Sequence, residues 1–298
     1  MESPTRIVAP LKGIACMVGG GIVLVTQDAL TKWLTAGYPV GEILFWRALF
    51  SFIPLFFFVW HQGGIACLKT RRPGLQVLRA LGMLGSAAFI VVSFSLMPIA
   101  DAIALNFTGP LFVTALATPF LAERVGWRRW TAVCLGFTGV IVMLRPGGDM
   151  HWVVLLPVAS AVAGAIRDII TRYMSDTENS TATLFYTNIV IIAAGLCTLP
   201  FGDWAVPTVA DFGLFAAVGC FSGSAHFLMI RAYHYSEVAV VTPFKYLTLI
   251  WAIVFGFLVW GDIPDRYTIV GSLIIVASGL YILYRETWAK RASAHKTL

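Results

Sequence analysis

The sequence predicts an all-α integral membrane protein of ten transmembrane helices, arranged as two inverted five-helix repeats. Of its 298 residues, 58% are hydrophobic and only 12% are charged, with a mean hydropathy of +0.82, whereas soluble domains carry about 25% charged residues. A helix needs about 20 apolar residues to cross a hydrocarbon core about 30 Å thick. The chain accommodates ten such segments with short connectors, so we expect no sizeable soluble domain.

Turn and breaker residues, such as Arg145-Pro146-Gly147-Gly148, separate the apolar segments. Spans 1 to 10 are predicted, in chain order, at residues 11–34, 41–61, 75–97, 100–121, 130–145, 151–174, 180–200, 211–233, 237–260 and 267–285. The first segment is too long, and has the wrong flanks, for a cleaved signal peptide, so it is expected to remain as span 1. We assign residues 1–147 to a first five-helix repeat, 148–285 to a second and 286–298 to a cytoplasmic basic tail.

The basic residues indicate which connectors face the cytoplasm. Of the 21 Lys and Arg residues, 15, Arg79 among them, fall in one set of connectors and at the termini, 3 in the opposite set and 3 within spans. Cytoplasmic loops carry the excess of Lys and Arg, so we predict that both termini lie in the cytoplasm. The expected location is the plasma membrane, the inner membrane of a bacterium. The net charge of +6 does not indicate nucleic-acid binding, because these residues are not clustered on one solvated face.

The chain also contains an internal repeat. At an offset of 140 residues, 27–34 overlays 167–174 with Asp, Thr, a basic residue and an aromatic residue in the same order. A second correspondence joins 98–102 to 234–238. Each half has five spans, an odd number, so the second half must enter the membrane in the opposite sense. Inverted repeats around a site near the bilayer midplane are the usual construction of secondary transporters.

Pro and Gly interrupt spans 4 and 9 at comparable depths, which is the sequence feature that best indicates a transporter's binding site. The helix breaks are predicted at Pro110 and Pro243, within the runs Asn106-Phe107-Thr108-Gly109-Pro110 and Thr242-Pro243-Phe244-Lys245-Tyr246.

An ionisable residue deep in a span is costly, so Lys245 is a candidate for function. We predict that Lys245 meets an anionic or polar group of a solute, while Asn106, Phe244 and Tyr246 supply hydrogen bonds and ring contacts. The alternative is structural: Lys245 neutralises a nearby carboxylate or extends to the membrane interface.

Small and polar residues in spans 3 and 8 are further candidates. We predict that Ser86, Phe89, Ser222 and His226 face the cavity, although helix packing alone also explains most small residues in these spans. A protonatable His226 in a span suggests coupling to protons. The alternative is a buried histidine whose hydrogen bonds are satisfied.

Two charged pairs have helical spacing. Asp28 and Lys32 are four residues apart in span 1, as are Asp168 and Arg172 in span 6. We predict that the pairs belong to alternating outer and inner gates, with Arg47 joining the outer one. The alternative is that both are helix-end ion pairs that anchor the spans at the interface.

The sequence lacks the motifs of an enzyme. It contains no GxSxG, HExxH or Walker A motif, no CxxC and no metal-like His/Cys cluster, so no catalytic residue, metal or cofactor is predicted. The five cysteines are interpreted as small buried hydrophobic residues. The expected partners are a small-molecule solute and the lipid bilayer, without nucleic acid, and the expected assembly is a monomer.

Several short motifs occur along the chain: Lys32 closing span 1, Pro39 to Arg47 opening span 2, Glu123-Arg124 followed by Gly136-x-x-Gly139-Val140, Gly261-Asp262-Ile263-Pro264, and Gly271 with Gly279 in span 10. Together they resemble the motifs of the EamA family of the drug/metabolite transporter superfamily. The chain departs from the family in having Asp262 where Glu is usual. Its second half also lacks the span-opening arginine and has Thr187 in that place.

The resemblance implies a ten-span exporter or permease with a cavity lined by spans 1, 3, 4, 6, 8 and 9, and with spans 5 and 10 peripheral. Within the family the chain resembles the YddG-like branch of aromatic amino-acid exporters. The predicted function is alternating-access export of small organic solutes: amino acids, above all aromatic or other apolar ones, and related metabolites or amphipathic drugs. The alternatives are a facilitated-diffusion permease or channel and, from another class, a membrane-embedded enzyme.

Overall fold

The computed structural model describes residues 10–294 apart from 62–63, 122–125, 145–151, 175–177, 202–203 and 236–237. This described part is all-helical, without β-strands. Its α-helices are α1 (Pro10–Leu34), α2 (Val40–Phe50), α3 (Phe52–His61), α4 (Pro73–Leu96), α5 (Ile99–Asn106), α6 (Gly109–Leu121), α7 (Trp127–Leu144), α8 (Leu155–Met174), α9 (Ser180–Cys197), α10 (Val209–Tyr235), α11 (Val238–Lys245), α12 (Leu247–Trp260) and α13 (Arg266–Ala294). The same residues include short 3-10 helices at Gly64–Leu68 and Trp152–Val154.

The helices have the length and composition of a multi-pass membrane protein. Among the described residues, eight stretches are long and apolar enough to cross a membrane, and shorter apolar stretches lie in α7 and α9. The all-helical membrane fold is therefore confirmed, while the count of ten crossings stays a prediction. Spans 2, 4 and 9 each consist of two consecutive helices, and α13 continues past the predicted end of span 10.

The interruptions of spans 4 and 9 meet in the interior of the bundle. Pro110 lies in the first turn of α6, where its missing N–H removes no helical bond. Pro243 lies near the end of α11, and Tyr246 separates that helix from α12. The ring of Tyr246 packs against that of Phe107, between α5 and α6, with 4.8 Å between the centroids.

The two ends of α4 show how the helices are oriented. Lys32, near the C-terminal end of α1, donates a hydrogen bond to the carbonyl of Met97, just beyond the C-terminal end of α4 (3.1 Å). Near the other end of α4, Arg79 donates to Thr171, close to the C-terminal end of α8 (2.6 Å). Since the 24 residues of α4 span about 36 Å, α1 and α8 run in opposite directions. We name these the Lys32 end and the Glu178 end, because Glu178 contacts the start of α4.

Contacts between helices recur in the two halves. Helix α1 packs along α10 as α8 packs along α4, α2 contacts α9, and α7 packs along α13. Glycines allow the closest of these approaches, as expected where lipid provides no hydrophobic force between helices. A Cβ atom on Gly139 would lie 2.7 Å from the carbonyl oxygen of Gly271, and one on Gly271 equally close to that of Gly139.

We predict that Gly271→Ala destabilises the protein by about 1–3 kcal/mol, because the added methyl group overpacks the contact between α7 and α13. The matched control is Gly213→Ala in α10, where a Cβ would meet nothing within 4 Å and alanine favours the helix. Thermal unfolding of both variants in the same detergent tests this. Equal stability of the two variants would contradict it.

Candidate functional site

A cleft lies inside the bundle between spans 2, 3, 7 and 8. It contains about 520 Å³ of space between protein atoms, its open mouth included. Its polar lining consists of Arg47, Ser51, Thr187, Asn188, Ser222 and His226. Its apolar wall includes Leu55, Phe58, Met83, Leu184 and Ile191. A largely apolar wall with a few convergent polar groups is typical of small-molecule sites.

Arg47 carries a charge into this cleft. The residue is 9% exposed, and among the described residues its guanidinium has no hydrogen-bond or ion-pair partner. The charge of Asp28 acts on Arg47 from α1 without forming an ion pair. A buried cation is costly unless it is paired or solvated, so Arg47 is available to bind a ligand as well as to serve in the predicted outer gate.

His226 is oriented by its own helix. Its Nδ1 lies 2.7 Å from the carbonyl oxygen of Ser222, one turn earlier in α10. A carbonyl oxygen only accepts, so Nδ1 donates this bond and Nε2 is left available. The positive charges of Arg167, Arg47 and Lys245 act on His226. Both predicted residues of span 8 thus line the cleft, while proton coupling stays a prediction.

Residues of span 7 also line the cleft, although they were not predicted from the sequence. Thr187 is 5% exposed and lines the cleft beside Asn188. Thr187 corresponds to Arg47 at the offset of 140 residues. The sequence signal for Thr187 was its departure from the family pattern at this position. Spans 2 and 7 were not expected to line the cleft.

Arg79 was placed in a connector, but the structure places it inside α4. Its Nε donates to Oγ1 of Thr171 (2.6 Å) and its terminal nitrogen to Oγ1 of Thr187 (2.8 Å). The charges of Arg167 and Asp168 act on it as well. Arg79 therefore links spans 3, 6 and 7 beside the cleft.

The predicted inner charges lie together toward the Glu178 end. Asp168 pairs with its neighbour Arg167 at 2.7 Å, and its side chain is more than half exposed. Lys245 is also exposed, and the charges of Asp168 and Arg167 act on it. The side chain of Arg172, the predicted partner of Asp168, lies outside the described part.

The other predicted solute contacts lie away from the cleft. Tyr246 is 8% exposed and packs on Phe107 in the hydrophobic core. Phe244 packs in a separate small core with Met17 and Val241.

Three more residues were predicted to contact the solute. Ser86 exchanges hydrogen bonds with Ser160 across the contact between α4 and α8. Phe89 is 40% exposed, and Asn106 is partly buried at the end of α5. Their roles toward a solute stay predictions.

Lys32 pairs across the two halves instead of with Asp28. Its ammonium lies 3.3 Å from the carboxylate of Asp262, donates to the carbonyl of Met97 (3.1 Å) and lies 4.8 Å from the centre of the Trp260 ring. These contacts join spans 1, 3 and 9 at one end of the bundle. Asp28 instead accepts a hydrogen bond from Gln27 (3.2 Å).

Further contacts close the same end between spans 2 and 8. The hydroxyl of Tyr38 donates to Asp211 (2.8 Å). The ring of Phe212 packs edge-on against Trp46 and Phe50, with centroid distances of 5.4 and 5.1 Å. The backbone N–H of Ala205 donates to the buried carboxylate of Glu42 (3.2 Å). Polar and aromatic contacts therefore link the spans at the Lys32 end.

Glu178 forms the corresponding contact at the opposite end. Its carboxylate accepts hydrogen bonds from Thr70 Oγ1 (2.7 Å), Gln76 Nε2 (3.0 Å) and the backbone N–H groups of Arg71 (2.9 Å) and Arg72 (3.2 Å). Partial burial alone would raise the pKa of Glu178, but these hydrogen bonds outweigh it and lower the pKa below the ordinary 4.5. The start of α9 is thus tied to the start of α4.

Comparison with known families identifies the fold. The model of the EamA-like transporter family matches the chain twice, at residues 11–145 and 151–284. The chain belongs to the EamA-like transporter family. One solved structure superposes on this EamA-like chain with a TM-score of 0.65 at 16% identity, over 90% of this chain and 94% of that one, and therefore shares its fold.

Relatives of this EamA-like chain carry the names of metabolite transporters. A riboflavin transporter of Rhizobium johnstonii is 33% identical over 296 residues, which cover 98% of this chain and 96% of that protein. An S-adenosylmethionine uptake transporter of Rickettsia bellii is 30% identical over 271 residues, or 91% of each chain. The pseudopaline exporter CntI of Pseudomonas aeruginosa is 26% identical over 273 residues, covering 89% and 94%.

These similarities indicate a transporter and not an enzyme. None of the three relatives is named for aromatic amino acids, so they do not support the narrower resemblance to YddG-like exporters. Their names include both uptake and export, so membership of the family fixes neither the direction of transport nor the solute.

We predict that Glu178→Gln lowers the thermal stability of the protein by a few degrees at neutral pH. Because folding lowers the pKa of Glu178, its contribution is complete above pH 4.5 and is lost as the pH falls through the lower pKa of the folded protein. Unfolding temperatures measured from neutral to acidic pH should therefore converge for variant and wild type. A constant difference at every pH would show that the charge of Glu178 contributes nothing.

Proposed function

We propose that this protein is a secondary transporter that moves small organic solutes across a bacterial inner membrane by alternating access, with the cleft beside Arg47 as its solute site. The observation that carries the proposal is the cleft itself: it lies inside an apolar helical bundle and holds a buried guanidinium that has no partner among the described residues. In a membrane such a group requires water or a ligand.

The two ends of the bundle differ in a way that suits alternating access. The Lys32 end is closed by Lys32–Asp262, Tyr38–Asp211 and the rings around Phe212. Toward the Glu178 end, Asp168 and Lys245 are exposed although they lie within predicted spans. A charged side chain at that depth faces water in preference to lipid. We therefore infer an aqueous path from the Glu178 end, and the distribution of basic residues supports a cytoplasmic location for that end.

The opposite orientation of the two halves allows the site to open to the other side of the membrane. Helices α1 and α8 run in opposite directions, and α1 packs on α10 as α8 packs on α4. When two such halves exchange conformations, the side on which a shared site opens is exchanged as well. The proposed cycle alternates between closure at the Lys32 end and closure at the Glu178 end.

The relatives guide the choice of solute. Their names specify riboflavin, S-adenosylmethionine and pseudopaline, so a nitrogen-containing metabolite is a suitable class to test first. Export of amino acids stays our prediction from the sequence, and so does a monomeric assembly.

Counterflow in proteoliposomes tests transport directly. Labelled riboflavin, S-adenosylmethionine and aromatic amino acids are presented outside vesicles that are preloaded with the same unlabelled compound. A carrier accelerates the entry of label when solute is present on the far side, whereas a simple pore does not. We expect accelerated exchange for at least one compound, with protein-free vesicles as the control. Uptake that is independent of the preloaded solute would identify a channel instead.

The Lys32–Asp262 pair is expected to be a gate, and charge reversal tests this. Lys32→Asp or Asp262→Lys places like charges together at the closed end and should slow exchange several-fold. The double variant restores an attractive pair and should recover most of the rate. If all three variants exchange at the wild-type rate and differ only in thermal stability, the pair is an anchor and not a gate.

A further inference from the structure

The polar groups of the cleft indicate which solute charge it accepts. Arg47 is the charged side chain of the lining, and the other polar members are hydroxyls, an amide and an imidazole. None of the lining side chains that the structure describes is a carboxylate. A solute cation would find no anionic partner on this wall, whereas a solute anion would meet a guanidinium.

The charged residues behind the lining carry a net positive charge. The described basic residues around the cleft that act on His226 or on one another are Arg47, Arg79, Arg167 and Lys245. The acidic residues that act on them are Asp28 and Asp168. Asp168 is already paired with Arg167. Positive charge therefore exceeds negative charge, and in a medium of low polarity this excess attracts an anion.

The shape of the Arg47 side chain favours a carboxylate among anions. A guanidinium presents five N–H donors in a planar fork that matches the two oxygens of a carboxylate. None of these donors has a partner among the described residues, so a ligand does not have to displace an existing bond. The neighbouring hydroxyls and the Asn188 amide can donate further hydrogen bonds to the same group.

The remaining wall requires an apolar portion in the ligand. Leu55 and Ile191 are 2% and 3% exposed and line the cleft together with Phe58 and Met83. About 40 Å³ of the cleft is open to the centres of water molecules, so its walls have to move apart to admit such a ligand. Polar and apolar faces in one cleft suit an amphipathic molecule.

We propose that the transported solute is an organic carboxylate with an apolar body, and that its carboxylate binds the guanidinium of Arg47. The body packs against the wall at Phe58 and Ile191. This inference rests on the proposed function, since it takes the cleft as the solute site. In this proposal Arg47 contacts the solute, whereas the sequence predicted that Arg47 joins a gate with Asp28.

Binding of three indole compounds to the purified full-length protein in detergent tests the charge preference. Indole-3-acetate, indole-3-acetamide and tryptamine share a ring system and are anionic, neutral and cationic at neutral pH. We expect wild-type protein to bind indole-3-acetate at least about tenfold more tightly than the amide, because hydrogen bonds to a charged group contribute more than neutral ones. Tryptamine should bind most weakly.

Four variants assign this preference to one residue. Arg47→Gln should abolish the difference between the acid and the amide, and Arg47→Lys should keep part of it. Asp28→Asn removes the competing negative charge and should leave indole-3-acetate binding unchanged or tighten it. Arg266→Gln is the matched control, because Arg266 is exposed beside Tyr267, and its affinities should equal those of wild type.

The inference is overturned if wild-type protein binds none of the three compounds, shows no preference for the acid or keeps the preference in Arg47→Gln. Loss of binding in Asp28→Asn would overturn it too, since Arg47 would then act through Asp28. The same samples separate this inference from the proposed function. Charge-selective binding without counterflow supports the carboxylate site and contradicts the transporter. Counterflow of a neutral or cationic compound at equal rates in wild type and Arg47→Gln supports the transporter and contradicts the carboxylate site.

Discussion

A charge inside a bilayer must be paired or hydrated, and the interior of this protein is arranged around that constraint. Arg167 meets it through Asp168, and Arg79 through two threonine hydroxyls. Arg47 and Lys245 have no hydrogen-bond or ion-pair partner among the described residues. Keeping two such cations in an apolar bundle is favourable only when water or solute reaches them, so the unpaired charges and the cleft depend on each other.

The contacts that close the bundle differ in how easily they break. The glycine contact between α7 and α13 is a close van der Waals fit, and separating it would lose packing without any gain in hydration. The Lys32–Asp262 pair is partly exposed, with 12% and 28% of the two side chains accessible. Partial exposure lets water solvate the two charges once they separate. Such a pair suits a closure that has to open, and the glycine contact suits a permanent one.

Local sequence patterns predicted the helices, but they did not predict the contacts between residues that are far apart in the sequence. Apolar length located the spans, and Pro110 and Pro243 marked the interruptions that the structure has. Helical spacing paired Lys32 with Asp28, yet the ammonium reaches Asp262, 230 residues away. No spacing rule contains that information, because it arises from the packing of spans 1 and 9.

The lining of the cleft illustrates the same limit. Ser222 and His226 were predicted to face a cavity, and Arg47 to join a gate, because charged and polar residues in spans are conspicuous. Thr187 and Asn188 were missed because a threonine or an asparagine in an apolar helix has many structural explanations.

The direction of transport depends on what moves with the solute, and not on the fold. A monoanion that crosses alone is driven outward by a membrane potential negative inside, by about 2.3 kcal/mol per 100 mV. If a proton crosses with it, the pair carries no net charge, the potential no longer acts, and the proton gradient favours uptake. The same cleft beside Arg47 therefore supports either direction, according to whether a group such as His226 carries a proton through the cycle. Related proteins named for uptake and for export are compatible with a single architecture for this reason.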